Sequence, residues 1–292
     1  DQKLLTVDTE SIRNNMCSEK TIPVFINYIN RLYALDGNIV NQTELINTDY
    51  LHLRLPSHFL DVPWYDQGVY TDQDDLWLEA YKNLSCAVVG NSGALLDSEY
   101  GNLIDNHDVI VRCNQTPLVG YENHVGSRTD IRIMNSHFFT SLKDLGNVEG
   151  SHHIKHMRSI LTGFDPAYLY ELSEETIVVK FGVFEQAYKN EIDKIESKNN
   201  KVVFMDHSFY NMGNKSLGGI HSTNGYIAIL MAMKFFKNVS CFGFGFYKEN
   251  NDKIHYYEEV NNHLETSPCH DNSLEEQIVS TFIDNGLITF HK

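Results

Sequence analysis

The segment from Cys86 to Thr129 constrains the fold of this chain more than any other stretch. An apolar run, Cys86–Val89, ends in the turn Gly90-Asn91-Ser92-Gly93, and a segment with helical patterning follows. Glycine permits a tight turn and a close approach of a ligand to the backbone, and a helix N-terminus offers unpaired N–H groups to an anion. A second apolar run ends in Arg112-Cys113-Asn114. Because ligands bind outside the carboxyl ends of strands in open α/β sheets, Asn91 and Asn114 predict a nucleotide site.

From Leu84 onward the chain alternates short apolar runs with helical patterns, which predicts an α/β fold. The predicted strands are Cys86–Val89, Val109–Val111, Ile131–Met134, Ser159–Leu161, Thr176–Val179, Val202–Met205, Val239–Phe244 and Leu287–Phe290. The predicted helices are Leu95–Ile104, Pro166–Leu172, Phe184–Lys198, Gly225–Phe236 and Ser273–Asn285. This alternation favours a mostly parallel central sheet with helices on both faces. We expect residues 83–292 to form a single Rossmann-like domain, and residues 1–82 to form a stem remnant and an N-terminal cap.

Composition narrows the class of partner. The 292 residues are 42% hydrophobic and 21% charged, which is typical of a soluble globular protein. The 23 basic and 39 acidic residues give a formal net charge of -16, which argues against nucleic acid because phosphate neutralisation needs clustered Lys and Arg. The chain has no apolar run long enough for a transmembrane helix and no signal peptide pattern, so neither is predicted within it.

The 86–129 segment resembles the large sialyl motif of the eukaryotic-type sialyltransferases. The matching positions are Gly90-Asn91-Ser92-Gly93, Ser98, Gly101, Ile104-Asp105, His107-Asp108, Arg112, Asn114, Gly120-Tyr121, Val125-Gly126 and Arg128-Thr129. So many matches in one segment are specific, whereas a glycine turn alone is not. The resemblance implies a GT-A-variant fold, and it implies that Asn91, Ser92, Gly93 and Asn114 bind a CMP-sugar donor.

A second segment, Ser222–Gly245, resembles the small sialyl motif of the same family. A polar turn with Gly225 opens an apolar helix, so that backbone N–H groups and hydroxyls meet at a helix N-terminus. The motif's Ser-Thr-Gly falls on Thr223, Asn224 and Gly225, with asparagine in place of threonine. The resemblance implies that this turn holds the cytidine part of the donor. Taken alone, the segment is typical of an ordinary helix start.

Two histidines complete the resemblance. His255, in His255-Tyr256-Tyr257-Glu258, matches the third motif, and His270 with Glu275 matches the His-x4-Glu spacing of the fourth. An imidazole can donate to phosphate oxygens, and its ordinary pKa near neutrality lets the neutral ring accept a proton. In isolation, His255 is more typical of an edge strand or loop, and His270 is more typical of a surface position. With the motifs in family order, the resemblance implies that His270 is a general base and that His255 contacts the phosphate and helps the leaving group depart.

The resemblance implies an inverting enzyme that moves sialic acid from CMP-sialic acid to a hydroxyl of a glycan acceptor, on a glycoprotein or a glycolipid. The segment around His255 and His270 favours an α2,3 linkage to terminal galactose. No cofactor is expected. By the same resemblance, the location is the Golgi lumen, as a type II membrane protein whose N-terminal anchor is absent from this chain.

Two other functions stay open at this point. The first is transfer of Kdo or another nonulosonate from its CMP derivative, since related plant and algal proteins carry the same motifs. The second is a non-catalytic module that binds a nucleotide sugar or a glycan, which the departure at Asn224 favours. A Rossmann dehydrogenase is disfavoured, because the chain lacks the G-x-G-x-x-G turn and a ribose-binding acid at the expected spacing.

No catalytic metal is predicted. Asp72-Gln73-Asp74 has the Asp-x-Asp form that many glycosyltransferases use, but it precedes the first core strand in an acidic loop. His152, His153 and His156 share helical spacing without a nearby carboxylate or thiol. We therefore expect a metal-independent reaction.

The cysteines predict no disulfide framework. The five cysteines include no C-x-x-C pair. By resemblance, Cys86 is one half of a family disulfide, but Phe236 occupies the position of its partner, so we expect that bridge to be lost. A substitute bridge from Cys86 to Cys241 depends on the geometry of the two strands.

Overall fold

The computed structural model describes residues 53–54 and 83–291, apart from residues 143, 148, 161–163, 181–188, 206–209, 211–212, 215, 218–219, 246–253 and 259–269. Apart from 53–54, the predicted stem and cap over residues 1–82 lie outside the described residues. The cluster Asp72-Gln73-Asp74 also lies outside them, as do Cys17 and Cys269.

The framework is a mostly parallel sheet, which confirms the predicted α/β, Rossmann-like class. The strands are β1 (Leu53–Arg54), β2 (Ser85–Val89), β3 (Val109–Cys113), β4 (Ile131–Met134), β5 (Thr176–Val179), β6 (Lys201–Met205), β7 (Asn238–Phe242) and β8 (Thr289–His291). Their order across the sheet is β1-β6-β5-β4-β3-β2-β7-β8. β1 is antiparallel to β6, and every other neighbouring pair in this order is parallel.

The direction of the chain across the sheet reverses at β2. Cys86 of β2 aligns with Val109 of β3 on one side and with Val239 of β7 on the other. The chain moves outward through β3, β4, β5 and β6, and then returns to add β7 and β8 on the opposite side of β2. In doubly wound sheets such a switch point opens a crevice at the carboxyl ends of the strands, and ligands bind there.

Helices cover both faces of the sheet, as the continuous apolar strands require. They are α1 (Gly101–Asp105), α2 (Glu122–Val125), α3 (Ser136–Leu142), α4 (His152–Ile160), α5 (Lys189–Glu196), α6 (Asn224–Phe235) and α7 (Asn272–Asp284). Alternate residues of a strand face opposite sides. Cys86 and Val88 therefore pack with α6 and α7, whereas Ala87 and Val89 pack in a separate core on the other face.

The two helices next to the crevice begin at side-chain caps. Thr223 Oγ1 accepts a hydrogen bond from the N–H of Tyr226 at 3.1 Å and starts α6. Asp271 Oδ1 accepts from the N–H of Leu274 at 2.9 Å and starts α7. The helix was predicted to begin at Ser273, but it begins at Asn272, because the carboxylate of Asp271 takes the cap position. Such caps satisfy backbone donors that have no partner inside the helix.

Three predicted elements differ from the structure. The apolar run at Ser159–Leu161 was predicted to be a strand, but residues 152–160 form α4, because the Ser151 hydroxyl accepts from the N–H of Ile154 at 3.1 Å and opens a helix. A run this short has no period that separates strand from helix. The predicted helix Leu95–Ile104 is two pieces, a 3-10 turn over Gly93–Asp97 and then α1. The predicted helix at Pro166 is likewise a 3-10 turn, Pro166–Tyr170.

Candidate active site

The end of β2 turns tightly against β7. The N–H of Ser92 donates to the carbonyl of Gly243 at 3.0 Å. A Cβ on Gly90 would lie 2.4 Å from that same carbonyl oxygen, so a side chain there would force the two strands apart. The hydroxyl of Ser92 accepts from the N–H of Ala94 at 3.2 Å and opens the 3-10 turn. The segment 91–93, which was predicted to bind the donor, therefore lies at the switch point.

Asn91 is tied to the end of the neighbouring strand. Its Nδ2 donates to the carbonyl of Cys113 at 3.4 Å, and its Oδ1 accepts from the hydroxyl of Thr116 at 3.3 Å. Asn114, between these two partners, has a left-handed backbone with φ 56. Asparagine tolerates that conformation better than most residues. The two asparagines that follow β2 and β3 are thus held side by side.

Asn114 also contacts the second predicted segment. Its Oδ1 accepts from Asn224 Nδ2 at 2.6 Å and from the N–H of Asn135 at 3.0 Å. Asn224 is the first residue of α6. Beside it, a Cβ on Gly225 would lie 3.0 Å from the ring of Phe244, which leaves little room for a larger residue. The fold therefore brings together two segments that are 110 residues apart in sequence.

A buried ion pair fixes the backbone below Asn114. Arg132 NH1 donates to the carbonyl of Asn114 at 2.8 Å. The rest of the guanidinium binds both oxygens of Glu175, with Nε–Oε2 at 2.6 Å and NH2–Oε1 at 2.8 Å. Arg132 is 1% exposed, so these bonds compensate the cost of burying its charge. This pair was not predicted from the sequence, although an arginine inside the apolar run of β4 was a usable signal.

Glu275 holds the Thr223 turn from helix α7. Its Oε1 accepts from the N–H of Thr223 and its Oε2 from the Thr223 hydroxyl, each at 2.7 Å. The carboxyl is buried, at 2% exposure. Burial raises the pKa of Glu275 to about 7, against the opposing effect of the two bonds from Thr223. Glu275 of the fourth motif thus contacts Thr223 of the small motif directly.

His270 lies beside the same turn and has a defined tautomer. Its Nδ1 is 2.6 Å from the carbonyl oxygen of His221. Because a carbonyl only accepts, Nδ1 carries the proton and Nε2 of the neutral ring is the basic nitrogen. Burial lowers the pKa of His270 below its ordinary value of 6.5, and the charges of Lys180 and His221 lower it further, while the bond to His221 opposes them. The ring is therefore neutral at neutral pH and can accept a proton.

His255 lies next to the 91–93 turn. It forms an isolated antiparallel bridge with Ser92, and the N–H of Tyr256 donates to the carbonyl of Asn91 at 3.0 Å. Its Nδ1 is 2.7 Å from Oε1 of the buried Glu258, which fixes the rotation of the ring. The ring also stacks on Tyr257, with centroids 5.3 Å apart. A histidine held in this way can donate to an anion in the crevice.

The structure thus brings every predicted site residue to the carboxyl edge of the sheet. Asn91, Ser92, Gly93 and His255 form one group, and Asn114, Thr223, Asn224, Gly225 and His270 form the other. Asn91 connects the two groups, because it hydrogen-bonds to the Cys113 carbonyl and the Thr116 hydroxyl on either side of Asn114. This arrangement can bind a nucleotide and place a neutral imidazole beside it.

The described part of the chain shows neither a metal-binding cluster nor a membrane-spanning helix. There, no three His, Cys, Asp or Glu side chains are grouped so that they could hold a metal ion. The side chains of His153 and His156 lie outside the described residues. None of the described helices combines the length and the apolar character needed to cross a bilayer.

The buried thiols are free. Cys86, Cys113 and Cys241 form no disulfide. Cys86 is aligned with Val239 of β7, so Cys241 lies two residues further along that strand. This diagonal offset exceeds the separation that a disulfide spans. The expected loss of the Cys86 bridge therefore has no replacement on β7, and Phe236 is buried in the same core.

Several known proteins are similar in sequence to this chain. The family model described as glycosyltransferase family 29 (sialyltransferase) matches residues 67–287. The chain is 31% identical over 202 residues to the CMP-N-acetylneuraminate-β-galactosamide-α-2,3-sialyltransferase 1 of Mus musculus, which covers 67% of this chain and 55% of that protein. It is also 28% identical over 190 residues to a β-1,6-galactosyltransferase of Arabidopsis thaliana, which covers 62% of this chain and 46% of that protein. The chain thus spans about half the length of these curated relatives.

Solved structures share the fold. The crystal structure of a mammalian sialyltransferase in complex with Gal-β-1-3GalNAc-ortho-nitrophenol superposes with a TM-score of 0.53 at 19% identity, over 96% of this chain and 88% of that chain. A second crystal structure of a mammalian sialyltransferase gives a TM-score of 0.52 at 19% identity, over 94% and 86%. These likenesses confirm the predicted GT-A-like architecture.

Proposed function

This chain belongs to glycosyltransferase family 29 (sialyltransferase), and on that premise we propose that it transfers sialic acid from CMP-sialic acid to a hydroxyl of a glycan acceptor. The observation that carries the proposal is the segment 221–225. Its first carbonyl binds Nδ1 of His270, and its Asn224 binds Asn114. A neutral imidazole is therefore hydrogen-bonded to the same backbone segment that contains the predicted nucleotide turn.

The donor's CMP binds at the carboxyl edge in this proposal. Asn91, Asn114 and the Thr223–Gly225 turn hold the cytidine monophosphate, with Ser92 and Gly93 at the mouth of the crevice. His255 contacts the phosphate, which is supported by its bridge to Ser92 and by the fixed rotation of its ring. Helix α6 begins at this turn, so its N-terminus favours a negative charge there.

The transfer is a single displacement with inversion at the anomeric carbon. The acceptor oxygen attacks that carbon while the bond from the carbon to the phosphate oxygen breaks. The acceptor proton passes to Nε2 of His270, and the electron pair of the broken bond leaves with CMP. CMP is a phosphate monoester and a fairly good leaving group, and fixed donors such as His255 stabilise the charge that develops on it.

Replacement of His270 tests this mechanism. A correctly placed base contributes ~10²–10⁴ in rate, so His270→Ala should lower kcat by that order while CMP binding, measured by calorimetry, persists. His152→Ala, at an exposed histidine in the first turn of α4, is the control and should keep both properties. Unchanged turnover in a folded His270→Ala protein would remove this residue from the mechanism.

The identity of the donor has a second candidate. One matched relative is named as a β-1,6-galactosyltransferase, so the family fold also occurs in a protein named for another sugar. A screen of CMP-sialic acid, CMP-Kdo and UDP-galactose with a lactose-type acceptor separates these donors. CMP release and a sialylated product support our proposal, turnover of only another sugar nucleotide replaces it, and CMP binding without release favours a non-catalytic module.

We propose an α2,3 linkage to terminal galactose. Two relatives that match about two thirds of this chain are named as α-2,3-sialyltransferases. A relative named as an α-2,6-sialyltransferase matches only 28% of the chain, at 42% identity. NMR of the isolated product assigns the linkage directly.

Two further proposals concern the domain division and the cellular location. The domain division at residue 83 and the location in the Golgi lumen follow from the resemblance to the family. Expression of a full-length tagged protein, imaged against a Golgi marker, tests the location. Limited proteolysis that releases a stable fragment starting near residue 83 would support the domain boundary.

A further inference from the structure

Lys180 is a buried ammonium group beside the candidate active site. It directly follows β5, and the residue is 3% exposed. Its Nζ donates to the carbonyl of Ser222 and lies 5.1 Å from the centroid of the Tyr210 ring. Burying an ammonium group is costly unless fixed partners compensate it, so these two contacts define where the charge is tolerated.

Three ionisable side chains hold three successive residues of one segment. His270 Nδ1 binds the carbonyl of residue 221, Lys180 Nζ binds the carbonyl of residue 222, and Glu275 binds the N–H and hydroxyl of residue 223. Two of these side chains come from the start of α7, whereas Lys180 comes from the sheet. Lys180 is thus a direct link between the sheet and the backbone of this segment, through the Ser222 carbonyl.

We propose that Lys180 is a positioning residue for the transfer reaction, which fixes the 221–223 segment and thereby the imidazole of His270. The inference rests on the proposed role of His270 as the base. At 3% exposure Lys180 does not reach the substrate, so it acts through the Ser222 carbonyl. Because His270 bonds to the adjacent carbonyl, a shift of this backbone would rotate the imidazole away from the acceptor hydroxyl.

The charges around Lys180 add an electrostatic contribution. Burial lowers the pKa of Lys180 to about 8, so it stays mostly protonated at neutral pH, and the charge of Glu275 opposes this shift. Burial, then the charges of Lys180 and His221, lower the pKa of His270. Among the described residues, other ionisable groups that face the cluster include Cys113, at the end of β3, Asp271, at the start of α7, Tyr226 of α6, and Tyr210, whose hydroxyl pairs with His221. Loss of the Lys180 charge should therefore raise the pKa of His270.

Two substitutions test the inference through kcat and its pH profile. Lys180→Met removes the hydrogen bond and the charge, and should lower kcat about 10-fold or more while CMP affinity changes little. The fall of kcat on the acid side of its pH profile (the acid limb) should move to higher pH. A general loss of folded structure would lower kcat without moving this limb. Lys180→Gln keeps a donor but removes the charge, so it should show the same shift with a smaller loss of kcat.

The control is Lys198→Met, since Lys198 also donates to a backbone carbonyl, that of Tyr170, but is exposed and distant in sequence from the site. It should keep the wild-type kcat and pH profile. If Lys180→Met does not fold, the kcat and pH profile of Lys180→Gln test the inference instead. A folded variant at position 180 with wild-type kcat and an unmoved acid limb would overturn the inference, provided that His270→Ala loses turnover. If His270→Ala itself keeps turnover, the proposed role of His270 as the base fails first, and with it the premise of this inference.

Discussion

Asn224 Nδ2 donates to Asn114 Oδ1 at 2.6 Å, and this bond joins the end of β3 to the start of α6 across 110 residues of sequence. The same Oδ1 accepts from the N–H of Asn135. The orientation of the Asn114 amide is therefore set by two donors. The position at which the family resemblance expects threonine carries a residue that makes this contact.

Truncation of Asn224 should weaken nucleotide binding. Asn224→Ala leaves Asn114 with one donor fewer, and a lost hydrogen bond of this kind costs about 1 kcal/mol, or roughly fivefold in affinity. Calorimetric titration with CMP measures the change. Asn285→Ala, at the far end of α7, is the matched control and should bind CMP as the wild type does. Equal CMP affinity of the Asn224→Ala and wild-type proteins would remove this contact from the binding site.

The pH dependence of transfer should follow His270. Burial lowers its pKa below 6.5, so the neutral, basic form persists to lower pH than that of an ordinary histidine. The value of kcat/KM should therefore stay level through neutral pH and fall only on the acid side of 6.5. Initial rates at subsaturating donor from pH 5 to 8 measure the profile. An acid limb centred above 6.5 would contradict this reading of the site.

Ionisation of Glu275 should make the protein less stable as pH rises. The folded-state pKa is raised from 4.5 to about 7, because burial disfavours the charged form. The free energy of unfolding should therefore fall between pH 4.5 and 7, by an amount on the order of 3 kcal/mol if only this group changes. Urea unfolding at several pH values measures the slope.

Glu275→Gln should flatten that slope. Glu276→Gln, one residue further along the same helix and more exposed, removes a carboxyl as well and should leave the slope as in the wild type. If Glu275→Gln retains the wild-type slope, the pH dependence arises elsewhere. Because Glu275 also holds Thr223, the same variant should lose kcat/KM.

Transfer should proceed without an added divalent metal. In the proposed mechanism His255 and the start of α6 face the leaving phosphate, and these groups can stabilise a monoester leaving group. Initial rates with EDTA should therefore equal those without it. Loss of activity in chelator that Mn²⁺ restores would show that this account lacks a component.

Much of the fold followed from local signals. The strands around β2, β3, β4 and β5 are continuous apolar runs, and their predicted bounds agree with the structure to within two residues. Asn91 and Asn114 were found because each lies just past the end of such a run. Local patterning failed at α4, where a short apolar run ended a helix instead of forming a strand.

The supporting contacts of the site could not be predicted, because they join residues that are distant in sequence. Arg132 and Glu175 meet only when β4 pairs with β5. Lys180 directly follows β5, just as Asn114 directly follows β3. The rule that a polar residue at the carboxyl end of a parallel strand is a site candidate therefore applied to Lys180 as well. Its partner, however, is a backbone carbonyl 42 residues away, and no pattern in the sequence shows that bond.

A crystal structure with bound CMP tests the central claim most directly. The account predicts the cytidine against Asn91, Asn114 and the Thr223–Gly225 turn, the phosphate within hydrogen-bond reach of His255, and Nε2 of His270 facing the space next to that phosphate. CMP bound away from the carboxyl ends of β2 and β3, or His270 turned behind packed side chains in the complex, would contradict it.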